Sequence, residues 1–116
     1  MAQNKNITEE EKKSSCHVIE CRINAEDSKR NFLPCCGDIS ALHFPTGLGI
    51  RIDSHIYTGY KVLPYCDSLL AKLIVRGEDR QECLLRTHRA LVEFIVEGIH
   101  TTIPFCLEYI NQELKK

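Results

Sequence analysis

The sequence predicts an α+β fold, a mostly antiparallel sheet with two C-terminal helices. Three observations carry that expectation. Residues 16–26 alternate apolar and polar side chains with a period of two. The stretch that follows is cut into short apolar runs by Pro34, Gly37, Pro45, Gly47, Gly49, Gly59 and Pro64. Beyond Gly77 the apolar residues fall at helical spacing.

In the first run Ile19, Cys21, Ile23 and Ala25 share one face, while Glu20, Arg22, Asn24 and Glu26 share the other. Residues 27–37 read as turns. Residues 39–44 lead through Pro45-Thr46-Gly47-Leu48-Gly49 into a return strand at 50–56, which predicts a bulged hairpin. A short piece at 60–63 precedes residues 69–76, apolar on both faces apart from Lys72 and therefore expected at the centre of the sheet. Gly77-Glu78-Asp79 reads as a turn and helix cap. The stripe Leu84, Leu85, His88, Leu91, Val92 and Ile95 follows, with Gly98 as its stop. Thr102, with Pro104 in the first turn, starts the last helix.

At 116 residues the chain suits one small domain, here 16–116, behind a polar leader at 1–15 whose composition predicts disorder. Fifteen basic and sixteen acidic residues are spread without a basic stripe, and no apolar run reaches membrane-spanning length. Neither nucleic acid nor a membrane is therefore an expected partner. The leader lacks the apolar core of a signal peptide, and seven cysteines without a CxxC pair fit a reducing compartment, taken as the cytoplasm or an organelle matrix or stroma. No metal site is expected from them. Phosphate-binding loops and nucleophile elbows are missing from these 116 residues, so they do not spell a self-contained enzyme.

The densest local signal is Glu20-Cys21-Arg22-Ile23-Asn24-Ala25-Glu26-Asp27. It aims one guanidinium from a strand, with carboxylates two residues away on the same face to hold it. Such an arginine suits a carboxylate, bicarbonate or an enolate oxygen. On pattern alone, a surface ion-pair ladder accounts for it better.

This octapeptide resembles the signature that opens the C-terminal domain of biotin carboxylases. Collinear matches follow at Asn31-Phe32-Leu33-Pro34, Gly47-Leu48-Gly49-Ile50-Arg51-Ile52-Asp53-Ser54-His55, Gly59-Tyr60 and Pro64-Tyr65. They continue at Asp67-Ser68-Leu69-Leu70-Ala71-Lys72-Leu73-Ile74 and Glu97-Gly98-Ile99-His100-Thr101-Thr102, so the likeness covers about residues 16–106. It implies that Arg22 is the catalytic arginine, placed beside the ureido group of biotin and bicarbonate to stabilise the biotin enolate before it attacks carbon dioxide. A cation about 4 Å from a developing oxyanion is worth about 1 kcal/mol in water and about 4 kcal/mol at an effective dielectric of 20, so the effect needs a partly closed site.

The resemblance further implies a substrate-facing place for Asp67, whose plainer role is to cap a turn, and a subunit contact at Leu48 and Arg51. Many members carry Phe at the first of these. Other departures are Cys35-Cys36, Cys66 and His88, the last expected to be a satisfied core histidine. The implied partners are an ATP-grasp portion that binds ATP and Mg²⁺, a biotin carboxyl carrier protein, and a second copy of the chain. The ATP-grasp region lies upstream of the signature in the family, so the chain alone is expected to be inactive. The implied reaction is the biotin-charging step of an acetyl-CoA carboxylase type of ligase, as in fatty acid biosynthesis, with the acyl acceptor left open. The alternative is a non-catalytic module that binds or regulates an intact carboxylase; a decayed or truncated gene product is a third reading.

Overall fold

The computed structural model describes residues 6–11, 16–64 and 67–116. The first part of the chain forms β1 (Ile7–Glu11), β2 (His17–Asn24), β3 (Glu26–Asp27), a 3-10 turn (Ser28–Arg30), β4 (Leu33–Pro34), β5 (Gly37–Asp38) and β6 (Ala41–His43). It continues through β7 (Ile50–Ser54), β8 (Lys61–Val62), β9 (Leu69–Gly77), α1 (Arg80–Glu93), β10 (Ile95–Glu97) and α2 (Ile103–Leu114). The expected α+β class is what the chain adopts. Its main sheet is antiparallel, in the order β1-β2-β9-β7, and two helices end the chain.

β9 occupies the interior of the sheet because its side chains are needed on both sides. Ala71, Leu73 and Val75 point inward with Ile19, Cys21 and Ile23 of β2, and the helices cover that face with Leu84, Leu91, Cys106 and Ile110. A smaller apolar cluster of Ala25, Ile39, Ile56, Val62 and Leu70 sits under the ladders β3–β4 and β5–β8. Cys21, Cys83 and Cys106 are fully buried and serve as small apolar residues. Contact with Cys106 and burial both raise the Cys21 thiol, and burial pushes Cys83 up to about 11. Tyr65 and Cys66 lie outside the described residues.

Five expectations need correction. The predicted hairpin does not form: β6 pairs with β10, whereas β7 pairs with β9. Gly49, at φ +77°, turns the chain from one sheet to the other so that Ile50 and Ile52 lie beside Val75 and Leu73. A Cβ there would stand 2.6 Å from the Arg76 carbonyl oxygen, which requires glycine.

Helix α1 ends at Glu93 rather than Gly98. Its buried side is Cys83, Leu84, Thr87, Ala90 and Leu91; Leu85 and Val92 are exposed, and Ile95 belongs to β10. The predicted cap is present, with Asp79 Oδ1 accepting from the Glu82 N–H at 2.8 Å. His88 is half-buried rather than a core residue.

The first strand also stops short of residue 26. Its register shifts between Ile23 and Asn24, so that Asn24 and Ala25 are both buried. This bulge aims an amide inward where strict alternation would face it to solvent.

Finally, part of the polar leader is a strand. Residues 1–5 and 12–15 lie outside the described residues, but Ile7–Glu11 pairs along β2. Ile7 enters the core, and backbone pairing needs no apolar signature in the remaining residues, Thr8 to Glu11, which are exposed. Glu9 explains the anchoring. It accepts from His17 Nε2 at 2.7 Å and from Arg80 Nε at 2.9 Å, while Arg80 also reaches Glu113 at 2.6 Å. A cation at the start of α1 opposes the helix dipole, and these two carboxylates offset that.

Arg80 holds the Glu9 carboxyl below its ordinary range. A depressed folded-state pKa contributes stability above the unfolded value, lost as pH falls through the folded one. The melting temperature should therefore drop on acidification below about pH 4.3, and less steeply in Glu9→Gln. Parallel pH–Tm curves for the two proteins would refute the anchoring role.

Candidate functional site

Alternation along β2 puts Val18, Glu20 and Arg22 on the outer face of the sheet, opposite the helices. Arg22 lies directly across from Lys72 of β9, and Lys72 in turn faces Asp53 of β7. One row therefore runs Arg22, Lys72, Asp53 across three strands. The next runs Glu20, Ile74, Arg51. Arg22 and Arg51 thus share a face, two strand spacings and two residues along the strand from each other, roughly 12 Å apart.

Arg22 is half-buried, and among the described residues no hydrogen bond or ion pair engages its guanidinium. The expected carboxylate brace is absent. Glu26 lies past the bulge, where its two oxygens take Ser68 Oγ at 2.9 Å and Asn24 Nδ2 at 3.5 Å. The backbone of Arg22 is held instead. Its N–H donates to the Asn6 carbonyl at 2.7 Å, and its carbonyl accepts from Thr102 Oγ1 at 3.1 Å.

Two cations directly opposed on a sheet repel one another. Asp53 does not neutralise them, because its carboxylate is engaged by Arg51 at 3.0 and 3.2 Å. With Arg22, Lys72 and Arg51 set against Asp53 and Glu20, the centre of the outer face carries an excess of one positive charge, suited to an anion or a developing oxyanion. Lys72 was legible as the single charge in a central strand, but only the register with Arg22 gives it this place.

Asp67 is exposed beside this end of β2 and β9. Its Oδ1 accepts from the Leu69 N–H at 3.1 Å, as a turn-capping aspartate does. Leu48 is 81% exposed at the turn before β7. A concavity of about 1010 Å³, lined in part by Leu48, Gly49, Arg76, Glu78 and Arg86, opens next to it. Arg22 stands apart from that concavity on the open face. At the bulge, Asn24 donates to Asn6 Oδ1 at 3.1 Å while its own Oδ1 is buried without a partner among the described residues. Among these residues no three His, Cys, Asp or Glu side chains converge as a metal site. Nor is any helix long and apolar enough to cross a membrane.

Residues 20–115 match the family profile described as "Biotin carboxylase C-terminal domain". Biotin carboxylase 1 of Bacillus subtilis (strain 168) is 51% identical over 96 residues, covering 83% of this chain and 21% of the relative. The biotin-dependent acyl-coenzyme A carboxylase alpha3 subunit of Mycobacterium leprae (strain TN) is 57% identical over 89 residues, covering 77% of this chain and 15% of the relative. Among solved structures, the biotin carboxylase domain dimer of Hydrogenobacter thermophilus 2-oxoglutarate carboxylase, in complex with MgADP, ADP and bicarbonate, superposes with a TM-score of 0.80 at 41% identity. That match covers 82% of this chain and 21% of the other. The chain thus spans about a fifth or less of the relatives it matches.

Proposed function

This chain belongs to the biotin carboxylase C-terminal domain family, and from that premise we propose that it supplies the biotin- and bicarbonate-facing arginine, Arg22, to ATP-dependent carboxylation of biotin. The observation that carries the reading is the Arg22 guanidinium beside Lys72, engaged by none of the described residues and fixed at its backbone on both sides. Biotin, when bound, supplies the ureido nitrogen that takes up carbon dioxide. Arg22 supplies positive charge already in place beside the ureido oxygen, and Lys72 deepens the potential there. Asp67 shapes the turn at the edge of this site.

Because the arginine stands on an open face, water screens it in the isolated chain. Full effect requires another part of the enzyme to cover the face. In this proposal the ATP-grasp portion does so and brings ATP and Mg²⁺. A biotin carboxyl carrier protein presents the biotin, in the cytoplasm, and residues 16–116 act as the domain proper. The acyl acceptor belongs to later steps; an acetyl-CoA carboxylase type, as in fatty acid biosynthesis, is the working assignment. Supplying an ATP-grasp portion in trans should restore ATP cleavage that depends on bicarbonate and biotin. A stable complex without such cleavage would count against the reading.

A second reading, a non-catalytic module that binds an intact carboxylase or a second copy of the chain, draws on Leu48 and Arg51, both exposed on the β7 side. It expects Arg51→Glu to abolish association in ultracentrifugation and Arg22→Ala to leave function untouched. Loss of carboxylation in Arg22→Ala with association intact would decide for the catalytic role.

A further inference from the structure

Thr101 and Thr102 stand together where α2 begins, yet they do different things. The Thr101 hydroxyl accepts from the Ile103 N–H at 3.3 Å, serving the helix start. Thr102 is the N-cap residue, but its hydroxyl makes no capping bond. It turns to β2 instead, donating to the Arg22 carbonyl at 3.1 Å and accepting the Asn24 N–H at 3.0 Å. The Thr102 N–H completes the clamp on the Asn24 carbonyl at 3.0 Å. Thr102 is fully buried.

The clamp sits where β2 most needs it. The register breaks between Ile23 and Asn24, and a bulge at that point frees the backbone to twist. The carbonyl of Arg22 and the amide of Asn24 bracket that break. Holding both on one hydroxyl, from a helix anchored in the core through Cys106 and Ile110, fixes the strand just beyond Arg22. A rotation there would swing the guanidinium, whose long side chain amplifies any change at its Cα.

We propose that Thr102 is a positioning residue for Arg22, setting the direction of its guanidinium through the β2 backbone. The inference rests on the biotin-facing reading of Arg22 for its catalytic consequence, though not for the clamp itself.

Two measurements test it. In the 116-residue chain, amide exchange at Asn24 should be as slow as in the β2–β9 ladder; Thr102→Val should speed it by at least tenfold, and Thr102→Ser should preserve it. Thr101→Val, which removes only the helix-start bond, should leave that exchange unchanged. In the carboxylase assembled with an ATP-grasp portion, Thr102→Val should lower kcat roughly tenfold with KM for ATP unchanged, and Thr102→Ser should restore it.

Unchanged Asn24 exchange and kcat in Thr102→Val would overturn the proposal, as would a tenfold change in the Thr101 control. If the valine variant does not fold, the wild-type chain still decides, because Asn24 exchange as fast as that of an exposed loop would also overturn it. Undiminished carboxylation in Arg22→Ala would remove the biotin-facing reading while the exchange data still judged the clamp.

Discussion

Arg22→Ala, in a carboxylase assembled from this chain and an ATP-grasp portion, is expected to slow biotin carboxylation by about 100- to 1000-fold, with the melting temperature nearly unchanged. The magnitude is that of removing one fixed donor or charge from a developing oxyanion, about 3–4 kcal/mol of transition-state stabilisation. The lack of effect on stability follows from the packing. Arg22 lies outside the apolar core, and no described residue depends on its guanidinium for a hydrogen bond or an ion pair. Its backbone bonds to Asn6 and Thr102 survive truncation of the side chain. Arg22→Lys should recover only part of the rate, because an ammonium reproduces the charge and not the planar fork. Rates measured with saturating free biotin, ATP and bicarbonate would check this. Less than a threefold loss would show that Arg22 faces no charge that builds up in the reaction.

Leu73→Ala should cost about 2–5 kcal/mol of folding stability. Leu73 is fully buried on the central strand, directly between Cys21 of β2 and Ile52 of β7, under the helices. Removing its side chain opens a cavity that no single element can collapse into, since strands lie on both sides. Urea unfolding followed by circular dichroism would give the value. A change below 1 kcal/mol would mean that the helices do not pack on this face as described. For comparison, Leu85→Ala should be nearly neutral, because Leu85 is 53% exposed on α1.

These two residues mark what could be read before the fold was known. Leu73 sits in an apolar run interrupted by one lysine, and that was enough to expect a central strand. Arg22 was singled out by an eight-residue signature within a long collinear likeness. Yet the brace expected for it, neighbouring carboxylates on the same strand face, is not what holds it. The Glu26 carboxylate is past a bulge and bonded to Ser68 and Asn24. Thr102, eighty residues away, does the holding. Strand alternation is a local steric rule, whereas a bulge is settled by which partners remain for the backbone once the sheet closes.

The same division explains the strand pairings. A Pro-Thr-Gly-Leu-Gly turn predicts a reversal but not its partners, and β6 and β7 separate into different sheets, pairing with β10 and β9. The β1 strand escaped notice for a related reason. Edge pairing is made by backbone groups, and one buried isoleucine and one well-placed glutamate are too little to stand out in a polar leader. By itself, then, the sequence determined the fold class, the central strand and the Asp79 cap, which follow from side-chain type and spacing, while Arg22 was singled out by the collinear likeness. Only the tertiary structure decided register, the bulge, the cation pair and the clamp behind Arg22, because those depend on contacts between residues far apart along the chain.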